Sequence, residues 1–109
     1  MQWIDFKTEK QLNEVIETSY QKSVLVFKHS TRCGISRFVL KSFKRETVNF
    51  EMLNCYLLDI LKHRELSTIL AHKFNVVHQS PQLLIIKNGT CINSASHESI
   101  EAEMIKNLD

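Results

Sequence analysis

Residues 24–36 read VLVFKHSTRCGIS. Val24, Leu25, Val26 and Phe27 run without a polar break, the mark of a strand buried on both faces. Lys28, His29, Ser30 and Thr31 end that run in a polar turn that leads to Cys33. Beyond the turn, Ile35, Phe38, Val39 and Phe43 recur at i, i+3, i+4 and i+8. That spacing predicts a helix starting near Cys33 or Gly34, with these four residues on its buried face. A lone cysteine therefore sits where a core strand hands over to a helix.

Working outward, Trp3, Ile4 and Phe6 suggest a short first strand. Thr8 and Gln11 form a capping box ahead of Leu12, Val15, Ile16 and Tyr20 at helical spacing. CYLLDI (55–60) reads as a strand, and Leu66, Ile69, Leu70 and Phe74 as a third amphipathic helix. VVHQSPQ (76–82) is a loop holding the only proline, followed by the strand LLII (83–86). Asn88-Gly89 signals a tight hairpin returning through residues 90–93 as an edge strand. Ser96 is placed to cap a closing helix with Ile100, Met104 and Leu108 on one face. The order β-α-β-α-β-α-β-β-α predicts one three-layer α/β/α domain over residues 1–109, with a mixed sheet whose final hairpin is antiparallel.

The totals narrow the function. An apolar share of 43% and a charged share of 24% fit a globular chain, and a net charge of +2 over 109 residues argues against nucleic acid or an anionic membrane as main partner. Lys41, Lys44 and Arg45 form a small basic cluster, read as a solvated helix face. No apolar run approaches the roughly 18 residues of a membrane span, and MQWIDFKTEK lacks the apolar core of a secretory signal. Three cysteines form no disulfide framework, so the expected compartment is the reducing cytoplasm. Cys55 and Cys91 fall inside strand patterns and read as packing residues. No structural zinc spacing and no phosphate-binding loop is present, and neither a metal nor a bound cofactor is expected.

Cys33 has the chemistry to be a nucleophile. A helix N-terminus carries about half a positive charge and unpaired N–H groups, which favour a thiolate over a thiol. Lys28, His29, Arg32 and Arg37 are close in sequence and can add positive potential. Ser36, one helical turn on, can donate a hydrogen bond to the sulfur. A lone proline just before a core strand would by itself read as a trans residue ending a loop, but in company with a helix-N-terminal cysteine it suggests a cis peptide at Ser80-Pro81, with the Ser80 backbone left free to face Cys33 and pair with a substrate strand.

The buried strand VLVF, the Cys33-Gly34-Ile35-Ser36 turn, Ser80-Pro81 and the Asn88-Gly89 hairpin together resemble the thioredoxin-like superfamily across essentially the whole chain. More narrowly, FKHSTRCGIS with VVHQSPQLLIIKNG resembles the monothiol bacilliredoxins, the YtxJ-like family. The resemblance implies a reactive cysteine at Cys33, its serine at Ser36, and a cis-proline at Pro81. It also implies removal of bacillithiol from protein mixed disulfides in the bacterial cytoplasm, with the small thiol as co-substrate. S-thiolated client proteins and a regenerating reductant would be the partners. That family typically shows Thr-Cys-Pro-Ile-Ser where this chain has Arg32-Cys33-Gly34-Ile35-Ser36. Relative to dithiol thioredoxins, Phe27 replaces a buried acid and His29 a tryptophan, and the second sulfur is absent. Cys33-Gly34-Ile35-Ser36 also resembles the Cys-Gly-Phe-Ser of monothiol glutaredoxins, which implies an alternative as a [2Fe–2S] cluster carrier. A second alternative is a redox-sensing interaction module that binds partners without turnover.

Overall fold

The computed structural model describes residues 1–108. Its elements are β1 (Gln2–Asp5), α1 (Glu9–Ser19), β2 (Val24–His29), α2 (Gly34–Glu46), β3 (Asn54–Asp59), α3 (Arg64–Phe74), β4 (Gln82–Lys87) and β5 (Thr90–Ser96). The five strands form one sheet in the order β1-β3-β2-β4-β5. β1, β3 and β2 are parallel, while β4 runs antiparallel to β2 and β5 antiparallel to β4. β2 is the central strand, which is why all six of its residues are buried.

Alternation along the strands builds two cores. Val24 and Val26 pack with Leu12, Val15, Leu66, Leu70 and Phe74 from α1 and α3. Leu25 and Phe27 pack with Val39 and Phe43 from α2. On this second face the rings of Trp3, Phe27 and Phe43 stack edge-on or tilted at 5.6–6.3 Å between centroids. Each buried Leu, Val or Phe contributes about 1.5–3 kcal/mol relative to exposure, so these layers hold the sheet between its helices.

Local signals set the element ends. Thr8 and Gln11 form the capping box of α1, a feature worth about 1 kcal/mol. Asn88 and Gly89 both take positive φ, 52° and 77°, as a two-residue hairpin demands. The turn is pinned to the end of α1: Ser19 Oγ accepts from the Gly89 N–H at 2.9 Å, and the Ser19 carbonyl accepts from the Asn88 N–H at 2.8 Å.

Two expectations change. The closing helix is replaced by two short 3-10 turns, His97–Ser99 and Ala102–Ile105. Ser96 makes no side-chain cap, and the extended backbone at Ile100 and Glu101 interrupts any helix. The break lets both Ile100 and Ile105 enter the core against α2, which a continuous helix cannot do with residues five apart. In α2, Ile35 and Phe38 point outward, and the buried stripe is instead Ser36, Val39 and Phe43. The apolar spacing fits either stripe. Burying the small Ser36 against the turn rotates the helix so that Phe38 faces solvent. Among the described residues, no helix is long and apolar enough to cross a membrane.

Candidate active site

Cys33 is the N-cap residue of α2, with extended backbone and a half-buried side chain. Its N–H donates to the Ser30 carbonyl at 3.2 Å, and its own carbonyl accepts the first helical bond from the Arg37 N–H at 3.0 Å. The side chain therefore projects where the helix N–H groups are unpaired. Gly34 stands at the first helical position and keeps an N–H that a proline there would lack. A Cβ at Gly34 would meet only the Arg37 guanidinium, at 3.9 Å, so packing does not force glycine there.

Ser36 is fully buried, and its Oγ accepts a hydrogen bond from the Ser30 N–H at 2.9 Å. The expected bond to the Cys33 sulfur is not among its contacts. The hydroxyl instead closes the turn that presents the cysteine, because Ser30 would otherwise leave a half-buried N–H unpaired. Arg37 bridges the same turn from outside, donating from Nη1 to the Thr31 carbonyl at 2.9 Å.

The expected basic flank divides. Arg32 is exposed and Arg37 lies over the turn, so both remain beside Cys33. Lys28 does not. It follows Phe27 in an alternating strand, so it turns to the opposite face of the sheet from α2. There it is completely buried and its Nζ donates to Gln82 Oε1 at 3.2 Å. Burial pushes its pKa down to about 8. His29 is buried with Nδ1 unpaired, and burial holds its pKa below the ordinary range, against the opposing pull of Asp59. At neutral pH it is an uncharged imidazole and supplies no full positive charge.

Pro81 is buried at the start of β4, and the Ser80-Pro81 peptide is cis. Ser80 uses neither backbone group in a hydrogen bond among the described residues, and its buried Oγ has no partner. Gln82, which carries no sequence signal, fastens the loop before Pro81. Its Oε1 also accepts from the Gln79 N–H at 3.3 Å, and its Nε2 donates to the Val77 carbonyl at 3.0 Å. The β2–β4 register sets Gln82 opposite Lys28, and that register is what a linear reading lacks. A cleft of about 300 Å³ opens beside the cysteine turn, walled by Thr31, Arg32, Asp59, Leu61, Lys62 and Arg64.

The other thiols are differently placed. Cys55 is fully buried in β3, and burial pushes its thiol well above the ordinary range. Cys91 is half-buried on β5, its thiol also raised by burial, with Sγ against the Asn93 carbonyl at 3.3 Å. Cys33 alone joins partial exposure to a helix N-terminus.

A mixed sheet with a single cysteine capping the helix after its central strand defines a thioredoxin-fold protein of monothiol type. Solved structures agree. The chain is 31% identical to an oxidoreductase candidate described as having a thioredoxin fold, covering 94% of this chain and 89% of that one with a TM-score of 0.84. It is 25% identical to reduced Schistosoma mansoni thioredoxin pre-protein, with full coverage of both chains and a TM-score of 0.77. Malassezia sympodialis thioredoxin, at 17% identity and a TM-score of 0.70 over 89% of this chain and 79% of that one, shares the fold. The family model for monothiol bacilliredoxin BrxC matches residues 4–105, and the chain belongs to that family. Its function is thiol–disulfide redox chemistry.

Proposed function

We propose that the protein removes a low-molecular-weight thiol, bacillithiol, from the mixed disulfides of S-thiolated cytoplasmic proteins. The observation that carries this reading is that Cys33 caps α2 alone, with a serine one turn on whose oxygen is engaged by the Ser30 N–H. In the reaction the Cys33 thiolate attacks the small-thiol sulfur of the client disulfide. The client's S–S bond breaks, a new S–S bond forms between Cys33 and the small thiol, and the client cysteine leaves as thiolate. No net oxidation occurs. Ser36 has no sulfur with which to displace the adduct, so the reaction halts there until a second small thiol or a separate reductant restores Cys33. The Ser80 backbone pairs with the client strand beside Pro81, and the cleft at Thr31 and Arg32 gives the small thiol room.

The test is intact mass spectrometry of the protein mixed with a client carrying a bacillithiol adduct, and separately with oxidised bacillithiol and oxidised glutathione. One bacillithiol adduct on Cys33, reversed by excess of the reduced thiol, is the expected result. Transfer that persists in Cys33→Ser overturns the assignment, and an adduct formed only with glutathione overturns the choice of thiol.

A further inference from the structure

Ile35 and Phe38 lie just beyond Cys33, 51% and 68% exposed, although their spacing belongs to a core stripe. The stretch of chain that carries them is basic. No acidic residue stands between Glu17 and Glu46, an interval holding Lys22, Lys28, Arg32, Arg37, Lys41, Lys44 and Arg45. Three of these are turned elsewhere: Lys28 is buried, Lys22 donates to the Met52 carbonyl, and Lys44 lies 5.0 Å over the Trp3 ring. Arg32, Arg37, Lys41 and Arg45 remain exposed, and none makes an ion pair among the described residues. Arg37, Lys41 and Arg45 are spaced i, i+4, i+8, so they form one stripe with Phe38 beside it.

Apart from the Arg37 bond to the Thr31 carbonyl, this arrangement makes no bond within the fold among the described residues. Like charges four apart on a helix repel. Arg32 and Arg37 place positive charge at the helix's own positive end. A large ring left in water forgoes its burial. All three penalties are relieved together by one kind of partner, a segment that is acidic and carries a bulky apolar side chain.

We propose that the outer face of α2 is the docking surface for S-thiolated client proteins whose modified cysteine is followed or preceded by acidic residues and one large apolar residue. This rests on the thiol-transfer reading above and names the clients it selects. From Cys33 to Arg45 the helix rises about 18 Å, the span of about five or six extended residues. The acidic residues therefore lie within about six positions of the client cysteine. The apolar side chain covers Phe38 and Ile35, next to the reacting sulfur. The carboxylates meet Arg37, Lys41 and Arg45.

The test uses three peptides bearing the same small thiol on one cysteine, flanked by Glu and Leu, by Ser and Gln, or by Lys and Leu. The expected rate of transfer to Cys33 is greatest for the acidic peptide. That rate falls about tenfold between low salt and 0.3 M salt, with little change for the neutral peptide. The Lys41→Glu/Arg45→Glu variant abolishes or inverts the preference while its reaction with the symmetric small disulfide is unchanged. Phe38→Ser slows the acidic peptide severalfold and leaves the symmetric disulfide unaffected. Fluorescence anisotropy with Cys33→Ser reads the same preference as binding, without chemistry. Equal rates and equal binding for all three peptides overturn the proposal, as does an unchanged preference in Lys41→Glu/Arg45→Glu. A Phe38-dependent dimer, or duplex DNA bound in place of the acidic peptide, also overturns it. Loss of transfer from every disulfide with the binding preference intact overturns the thiol-transfer reading instead.

Discussion

Ser36 Oγ accepts the Ser30 N–H at 2.9 Å, one helical turn beyond Cys33. The position that holds a second sulfur in dithiol relatives is here a brace for the turn that presents the first. The brace is buried and uses backbone that has no other partner, so the serine has a structural role as well as a chemical consequence.

Ser36→Cys separates the two. A sulfur at this position can attack a Cys33 mixed disulfide, release the small thiol and close an intramolecular disulfide. Intact mass spectrometry should show the adduct disappear and the protein end about 2 Da lighter than its reduced form. The weaker acceptor lowers stability by about 1–2 kcal/mol, read in urea melts. A stable adduct in this variant would mean that Ser36 does not occupy the resolving position.

Lys28 should destabilise the protein at neutral pH. Its amine sits at about 8 in the folded chain against an ordinary 10.5. Below pH 8 both states hold the proton, and the folded state bears the full cost of the buried charge. Between 8 and 10.5 the folded state sheds the proton first and that cost fades. Lys28→Met should therefore be more stable by about 1–3 kcal/mol at pH 7, less the lost bond to Gln82. The gain should shrink towards pH 10.5. Urea midpoints of both proteins across that range check the sign.

On the acid side, burial lowers the pKa of His29 and of His78. The unfolded chain then takes up protons first as pH falls through the usual histidine range near 6.5. Stability present above that range is lost on moving below it. His29→Gln should flatten the fall between pH 7 and 5, and His29→Gln/His78→Gln should flatten it further. An unchanged slope in both variants would show that other groups drive it.

Alkylation should sort the three thiols. With iodoacetamide at neutral pH, Cys33 is labelled first, Cys91 slowly, and Cys55 only when urea opens the core. Peptide mapping of a timed reaction checks this. Early labelling of Cys55 would contradict its burial between β1 and β2.

Much of this was legible in the chain because it depends on neighbours in sequence. The run VLVF needs burial on both faces wherever it lies, Thr8 and Gln11 cap whatever helix follows, and Asn88-Gly89 accepts the positive φ of a tight turn. Cys33 at a strand-to-helix turn followed from the same local periodicity. The direction in which a residue faces across the sheet was not local. Lys28 sits five residues from Cys33, yet strand alternation sends it to the other face, and only the β2–β4 register supplies Gln82 as its partner.

The amino-acid order thus determined the elements, the lone nucleophile and the basic stretch free of acids between residues 17 and 46. Tertiary packing decided the rest. It rotated α2 so that Ser36 braces the turn and Phe38 meets water, and it broke the final helix so that Ile100 and Ile105 both reach the core. The reason is that several registers of an amphipathic helix satisfy the same spacing. The choice among them depends on what the opposing sheet and the turn backbone leave unpaired.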